Sequence, residues 1–422
     1  MSVYLKRYAF KSLEIADTPQ PNTGLIVVIP VFNEPDVLPA LESLSKSDLP
    51  DVHTEVLIVI NESEASDETI VQQNDLTARL IGKWIEKNTV NGISFHVART
   101  TLPKKNAGVG LARKAGMDEA IRRFESIGNE RGILLCFDAD CTCSTSYLKS
   151  IYQEFKEKDL YGASINYEHE TNGLNEIERE GIFQYELHLR YYVNALRSAG
   201  YPYAFHTVGS SMAVRADIYK KAGGMNKRKA GEDFHFLHKV IPYGNYSEIM
   251  SATVYPAARV SDRVPFGTGK AMNEWLSSDH KDIVSYHPDI FTYLKSLLQQ
   301  IPKHYANNSI ESDINTLPQV VRNYLHQESY AEIIQEINRQ SSNPKTFLHR
   351  WFLWFNGLKA LHFVHYLRDH EYPSIPVKEA ASQLIEKEYA CTLEELIRQY
   401  RNLDENFKAD QISLKRLYSG FL

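Results

Sequence analysis

The sequence predicts an α/β fold with a mostly parallel sheet, followed by a helical C-terminal region. Short apolar runs alternate with helix-like segments between residues 25 and 167, and the sequence from about residue 271 onward is mainly helical. Alternating strands and helices favour a parallel sheet with helices on both faces. Because the chain has 422 residues, we expect one large α/β domain and a second, helical unit.

The predicted strands are short runs rich in β-branched and other apolar residues, which is typical of strands buried on both faces. The first five cover residues 25–31, 56–60, 93–98, 132–137 and 160–167. Helical periodicity fills residues 67–87, 110–124 and 146–158, and Pro35 suits the first turn of an earlier helix. Further along, the pattern predicts a helix over 175–198, a strand over 209–214 and a helix that starts near residue 231.

Composition excludes several classes of protein. Hydrophobic residues make up 43% of the chain, which is enough for a packed core, and the net charge of −6 implies no general affinity for polyanions such as nucleic acid, although local basic patches stay compatible with it. No apolar run reaches the length of a transmembrane helix, and the first residues lack the apolar stretch of a signal peptide. The four cysteines form neither a disulfide framework nor a zinc-ligand spacing. We therefore expect a cytoplasmic protein.

Two aspartates, Asp138 and Asp140, follow the fourth predicted strand directly. Ligands of open α/β sheets bind outside the carboxyl ends of the strands, where two carboxylates at positions i and i+2 can converge. Their oxygen atoms suit a hard divalent cation such as Mg²⁺ or Mn²⁺, which keeps open positions for substrate phosphates. The alternative is a solvated turn in which Asp140 or Ser144 caps the next helix.

A second pair of acids, Glu232 and Asp233, lies at the predicted start of a helix behind Gly231. One interpretation is a general base that takes a proton from an attacking hydroxyl. The other is a pair of N-terminal acids that stabilise the helix dipole. His235 and His238 have helical spacing, but no third ligand is evident, which favours packing over metal binding.

Two loops combine glycines with cationic side chains. Lys104, Lys105 and Arg113 surround the glycines that open the predicted helix near residue 110, an arrangement that suits a diphosphate but lacks the spacing of known phosphate-binding loops. Arg259 and Arg263 lie in a second glycine-bearing loop and can clamp a phosphate. A plain surface loop explains either segment equally well.

Five segments together resemble a family 2 glycosyltransferase of the GT-A fold. In chain order they are LIVVIPVFNE, VLIVINESEASDET, NAGVGLARKAGMDEAI, ILLCFDADC and the segment from Ser210 to Val240 that contains GEDFHFLHKV. The resemblance covers roughly residues 24 to 270. It implies an enzyme of polysaccharide biosynthesis that uses a nucleotide-sugar donor and a glycan or another hydroxyl acceptor.

The resemblance also implies roles for particular residues in binding the donor. Contacts to the nucleotide are implied for Pro30, Phe32, Glu34, Asn61 and Arg113. The loop after residue 258 is similar in position to one that covers the donor diphosphate, which implies a contact from Arg263.

For the chemistry, the resemblance implies that Asp138 lies near the ribose and the metal and that Asp140 binds Mn²⁺ or Mg²⁺. Asp233, supported by Glu232, is then the base of an inverting transfer. A UDP-sugar is favoured, although the acidic turn that usually carries two aspartates here reads Asn61-Glu62.

Several alternatives stay open from the sequence. The same fold can serve a non-catalytic protein that binds sugar nucleotides, and a retaining mechanism is a further alternative within the enzyme class. The predicted domain limits are an N-terminal lead over 1–23, a GT-A domain over 24–270 and a helical region over 271–422. The helical region has no family motif, and its aromatic run at 349–367 is typical of a core helix, with self-association or contact with the inner membrane face as the alternative.

Overall fold

The computed structural model of the protein describes residues 1–260, 267–277, 282–307, 310–386 and 391–421. The chain forms two compact units. The first comprises Met1–Gly173 and Thr207–Asn273, and the second comprises Leu174–His206 and Glu274–Leu422. The domain limits given above stay a prediction; residues 174–206, which they place with the α/β domain, group with the helical C-terminal residues.

The strands in the described residues have the following bounds: β1 Thr23–Val31, β2 His53–Ser63, β3 Ile93–Leu102, β4 Ile133–Cys136, β5 Cys141–Cys143, β6 Gly162–Tyr167, β7 Met212–Arg215, β8 Tyr246–Pro256, β9 Val284–Ser285 and β10 Ile375–Pro376.

The α-helices in the described residues have these bounds: α1 Val3–Arg7, α2 Leu38–Ser45, α3 Glu68–Lys87, α4 Val109–Ser126, α5 Tyr147–Lys158, α6 Glu176–Ser198, α7 Ala216–Lys221, α8 Glu232–Val240, α9 Thr268–Ser277, α10 Asp289–Gln300, α11 Ile310–Ile314, α12 Gln319–Gln327, α13 Tyr330–Arg339, α14 Pro344–Trp354, α15 Gly357–His370, α16 Val377–Leu384, α17 Leu393–Asn406 and α18 Leu414–Leu417. Short 3₁₀ turns cover Ile241–Tyr243, Ile301–His304 and Ala409–Ile412.

The first unit is built on one mixed sheet with the strand order β3-β2-β1-β4-β7-β6-β8-β5. Strands β1 to β4 run parallel, β7 is antiparallel to both of its neighbours, and β6 and β8 are parallel. The predicted mostly parallel sheet of the GT-A class is therefore confirmed. Because β1 lies between β2 and β4, the carboxyl ends of these three strands share one edge of the sheet.

The apolar runs of the sequence become the centre of this sheet. From Leu25 to Ile29 every side chain of β1 is fully buried, as is every side chain from Val56 to Val59 of β2. Helix α4 packs against these strands through Gly116: a Cβ atom at this position would lie 2.4 Å from Cγ1 of Val28. The helix that carries Arg113 is thus held against the floor of the sheet.

Four described elements of the first unit lie outside the sequence predictions. These are α1, β5, β8 and the short helix α7. Strand β8 reads YSEIMSATVYP, in which small and polar residues interrupt the apolar alternation, and its pairing with β6 shifts register between Ile165 and Asn166. A predicted strand over 209–214 begins only at Met212, because Gly209 instead packs against a side chain of α4.

The second unit is helical, and aromatic side chains fill its interior. Trp351, Phe352, Phe355 and Phe363 are completely buried, as expected of a core helix. Helix α6 opens with a capping box in which Asn175 and Glu178 bond each other's backbone N–H groups.

Helices α6 and α17 of this unit are joined by buried ion pairs. Asp404 accepts hydrogen bonds from Arg190 at 2.5 Å and from Arg197 at 2.7 Å, and Glu186 accepts from Arg401 at 2.9 Å. Within the described residues, no helix combines the length and apolar character needed to cross a lipid bilayer.

Two helical glycines allow a matched test of the packing of α4. We expect Gly116→Ala to lower the free energy of unfolding by about 1–3 kcal/mol, because the added methyl group collides with Val28 in a close-packed interior. Gly82→Ala is the control: no atom lies within 4 Å of the added Cβ there, so the better helix propensity of alanine should raise the free energy by about 0.5–1 kcal/mol. Urea denaturation measures both, and equal stability of the two variants would contradict the packing of α4 on β1.

Candidate active site

A tight turn follows β1 and places the first candidate residues. Asn33 has a left-handed backbone with φ of 48°, and its N–H donates to Oδ1 of Asn74 at 3.0 Å. The backbone carbonyl of Glu34 accepts from Oγ1 of Thr77 at 2.7 Å, which ties the turn to α3. The carboxylate of Glu34 is buried, whereas Pro30 and Phe32, also predicted to line the pocket, are half-buried.

Asn61 lies at the carboxyl end of β2 and links it to β1. Its Nδ2 donates to the backbone carbonyl of Val31 at 2.8 Å, and the backbone carbonyl of Asn61 accepts from Nδ2 of Asn74 at 3.0 Å. The amide nitrogen is therefore engaged in holding the two strand ends together. Its Oδ1 is the atom that remains for a ligand, and it can only accept hydrogen bonds.

Asp138 and Asp140 follow β4 at the same edge, with side chains 33% and 29% exposed. One oxygen of each and the Sγ of Cys141 lie within 4.8 Å of one another. Burial, with Asp140 and Asp138 nearby, raises the pKa of the Cys141 thiol well above its ordinary value. The two half-exposed carboxylates fit a hard divalent cation such as Mg²⁺ or Mn²⁺.

Arg113 joins Asp138 to the second acidic pair. This buried side chain projects from the first turns of α4, and its guanidinium donates to Asp138 through Nη2 and to Glu232 through Nη1. Burial is the largest single influence on the pKa of Arg113 and by itself would lower it. The negative charges of Asp138 and Glu232 act in the other direction, and the pKa is raised well above its ordinary value. Gly209 makes room for it, because a Cβ atom there would lie 2.6 Å from Nη1.

Glu232 and Asp233 form the first turn of α8, after Gly231 in a left-handed conformation with φ of 67°. Glu232 is 2% exposed and paired with Arg113, whereas Asp233 is half-buried and accepts the N–H of Phe234 at 2.7 Å. Burial raises the pKa of both carboxyl groups, to about 7 for Glu232, and the charge of Arg113 acts against this rise.

Arg259 reaches the same edge of the sheet from the segment after β8. Its Nη2 donates to the buried carboxylate of Glu34 and to Oδ2 of Asp140 at 3.2 Å. The predicted diphosphate contact of Arg263 lies outside the described residues. Arg259 lies in the same loop and was predicted to clamp a phosphate. The sequence did not predict its bonds to Glu34 and Asp140, because 225 residues separate Arg259 from Glu34.

The structure therefore brings most predicted residues into two connected groups. Arg113 contacts Asp138 and Glu232, and Arg259 contacts Asp140 and Glu34. The sequence did not predict that Gly209 makes room for Arg113. The one indication in the sequence is its position in GSS, just before a strand.

The two histidines of α8 favour packing, as the missing third ligand suggested. The ring of His238 lies with its centroid 4.4 Å from that of Phe234, and burial lowers the pKa of His238 to about 4.

The mixed, mostly parallel sheet with its helices is a fold of the GT-A class. The family model of glycosyl transferase family 2 matches residues 26–223, so this segment of the chain is a domain of that family. No curated protein matches the sequence.

Among solved structures, S. aureus TarS 1-349 in complex with UDP-GlcNAc is 17% identical, with 75% of this chain and 91% of that chain covered at a TM-score of 0.40. S. aureus TarS 1-349 in complex with UDP is 14% identical, with 94% and 91% covered at a TM-score of 0.37. The family assignment rests on the sequence match and on the site described above.

The raised pKa of Glu232 predicts how stability depends on pH. The folded protein keeps this proton up to about pH 7, whereas the unfolded chain loses it near 4.5, so the folded state binds more protons between these values. Stability from this group is present at low pH and lost as pH rises, with a slope of up to about 1.4 kcal/mol per pH unit. We expect the unfolding free energy of the wild type minus that of Glu232→Gln to fall as pH rises from about 4.5 to about 7.

Glu125→Gln is the matched control with the opposite sign. Burial opposes the shift, but hydrogen bonds from Ser2 lower the pKa of Glu125 below its usual 4.5, so its stabilisation is lost as pH falls. Urea titrations from about pH 3 to about pH 8 measure both differences, since the change for Glu125 falls below pH 4.5. A flat difference for Glu232→Gln would contradict the buried position of that carboxyl group.

Proposed function

We propose that the protein transfers a sugar from a nucleotide-diphosphate sugar to a hydroxyl acceptor, with a divalent metal, inversion at the anomeric carbon and Asp233 as the base. The observation that carries this proposal is the arrangement around Arg113. One buried guanidinium connects Asp138, at the strand end where the donor binds in such sheets, to the first turn of the helix that carries Asp233.

The donor is bound along the shared edge of β1, β2 and β4. The half-buried Pro30 and Phe32 line the nucleotide pocket, with Glu34 below them. The Oδ1 of Asn61 accepts the N3–H of a uracil ring, which favours UDP. Asp138 and Asp140 would hold Mn²⁺ or Mg²⁺, which would supply positive charge beside the leaving diphosphate.

Two cationic side chains are placed to meet the phosphates. Arg113 and Arg259 each bond a carboxylate of the metal site, so both guanidinium groups lie beside the place of the diphosphate. Bidentate contacts from arginine to phosphate oxygens are strong and directional. Arg263 is proposed for the same task on the strength of the family resemblance.

The adjacent acids of α8 have different tasks. Glu232 is held by Arg113 and buried, so it positions the guanidinium and is not placed to take a proton from an acceptor. Asp233 is the more accessible carboxylate, and burial raises its pKa toward the range of an effective base near neutral pH.

The reaction then balances in one displacement. Asp233 takes the proton of the acceptor hydroxyl, whose oxygen bonds to the anomeric carbon. The bond from that carbon to the phosphate oxygen breaks on the opposite face, and the nucleoside diphosphate leaves with the electron pair. Attack opposite the leaving group inverts the anomeric configuration.

The second candidate function is a protein that binds sugar nucleotides without catalysis. It needs the donor residues but has no use for an accessible carboxylate beside the Arg113 contact. The half-buried position of Asp233 therefore favours the enzyme.

A substitution of the base separates transfer from binding. We expect Asp233→Asn to lower the transfer rate by about 100- to 10,000-fold, the usual contribution of a general base. The affinity for UDP should stay within about threefold of the wild type, because an isosteric amide leaves the donor side unchanged. Initial rates with a UDP-sugar and calorimetry with UDP measure the two quantities. Asp51→Asn, at an exposed surface carboxylate, is the control, and full transfer by Asp233→Asn would sink the assignment.

A substitution at the strand end tests the metal site. We expect Mn²⁺ to strengthen UDP binding to the wild type but not to Asp140→Asn, which removes one of the two carboxylates that fit the ion. Calorimetric titrations of UDP and GDP with and without Mn²⁺ measure this effect and the preferred base. Equal enhancement by Mn²⁺ in both proteins would rule out Asp140 as a ligand.

A further inference from the structure

Two basic loops lie next to the segment that carries Asp233. Lys104 and Lys105 lie in the loop before α4, and Lys227, Arg228 and Lys229 lie in the loop before α8. All five side chains are exposed. Within the described part of the chain, none of the five forms an ion pair with an acid. In a chain with a net charge of −6, these unpaired cations are a local feature and not a result of overall composition.

The two loops are packed together through their backbones. A Cβ atom on Gly108 would lie 3.0 Å from the Cα of Lys229, and one on Gly110 would lie 2.2 Å from the backbone oxygen of Arg228. The same atom on Gly110 would lie 2.8 Å from the Cβ of Glu232. The two cation-bearing loops therefore adjoin each other at the start of α8, and their five cations are here named the basic surface.

Neighbouring groups respond to the positive charge of this surface. Burial is the main cause of the lowered pKa of Lys114, and Lys227 lowers it further. Burial likewise lowers the pKa of His235, with Arg228 and then Lys239 adding to the effect. Glu64 lies beside the basic surface. Its Oε2 accepts the backbone N–H of Lys104 at 3.3 Å, but its carboxylate does not pair with the ammonium group of Lys104.

We propose that the acceptor is an anionic polymer whose repeated negative groups lie on the basic surface while one of its hydroxyl groups meets Asp233. This inference rests on the proposed function, because it takes Asp233 as the point of attack. Clustered, solvated cations gain little from a neutral glycan, but a polyanion that binds them releases its counterions and gains affinity. Phosphate and carboxylate groups both satisfy five separate ammonium and guanidinium groups, so the shared chemistry is a repeated anion.

The basic surface offers more cations than the donor requires. A nucleotide sugar presents two phosphates, for which Arg113, Arg259 and the metal-site carboxylates are already placed. Lys227, Arg228 and Lys229 make no contact with those groups in the structure. Their arrangement in sequence, directly before the helix of the base, suits an extended chain that passes the site.

The test compares two triple substitutions of equal charge change in the full chain. One is Lys227→Gln, Arg228→Gln and Lys229→Gln. The matched control is Arg79→Gln, Lys83→Gln and Lys87→Gln, three exposed cations of α3. Calorimetry measures binding of inorganic polyphosphate, of an oligogalacturonate and of neutral dextran at 50 mM and 200 mM salt. UDP with Mn²⁺ is titrated into each protein as well.

The expected result is binding of at least one polyanion by the wild type and the control, with an affinity that falls steeply with salt. The basic-surface variant should lose about tenfold or more, because each neutralised contact lowers both the affinity and the salt dependence. Dextran should bind none of the proteins. Tighter binding of polyphosphate than of oligogalacturonate would identify phosphate as the repeated group, and the reverse would identify carboxylate.

Equal polyanion binding by the basic-surface variant and the wild type would overturn the proposal. So would retention of the wild type by vesicles of anionic phospholipid with no binding of either soluble polyanion, since the partner would then be a membrane. UDP binding should be the same in all three proteins. If the wild type did not bind UDP, the proposed function would be contradicted. A loss of polyanion binding in the basic-surface variant alone would still support the basic surface as the polyanion site.

Discussion

The arrangement of the site depends on the buried guanidinium of Arg113. A charged group that leaves water loses several kcal/mol of hydration, and only close partners of opposite charge make up for it. Asp138 and Glu232 supply those partners from two different elements, the end of β4 and the start of α8. Loss of either partner leaves the buried guanidinium with one carboxyl group in place of two, which destabilises the fold. Stability and the relative placement of the end of β4 and the start of α8 therefore depend on the same contact.

The close approach of α4 depends on glycines. Gly116 lets the helix lie against β1, Gly110 lets the loop before α8 cross its start, and Gly209 leaves space for the guanidinium. A side chain at any of the three would meet buried atoms or backbone at less than 3 Å. Strands β1 and β2 are apolar on both faces and closely packed, so there is no free space into which α4 could shift. Arg113 can reach Asp138 and Glu232 because these glycines let the backbone segments that carry the three residues approach one another closely.

This dependence explains what the sequence could predict. The first strands and the paired aspartates follow from local pattern, because a buried parallel strand needs a continuous apolar run and its ligands lie at its end. Strand β8 was not predicted, since YSEIMSATVYP is stabilised by its pairing with β6 and β5 more than by its own composition. Nor could the contacts be predicted: 119 residues separate Arg113 from Glu232, and no local pattern encodes a pairing over that distance. The family resemblance supplied candidates, and the fold showed which of them touch.

The two acids of α8 show how one helix start can serve two purposes. Consecutive residues of a helix point in directions about 100° apart, so they do not face the same environment. Glu232 turns toward the interior and is neutralised by Arg113, while Asp233 stays half-buried and accepts only the N–H of the next residue. The left-handed Gly231 sets the direction in which the helix begins, and the cations immediately before it add positive charge to the approach. If Asp233 is the base and the acceptor is anionic, as proposed, that charge offsets the repulsion between the carboxylate of Asp233 and the incoming anions.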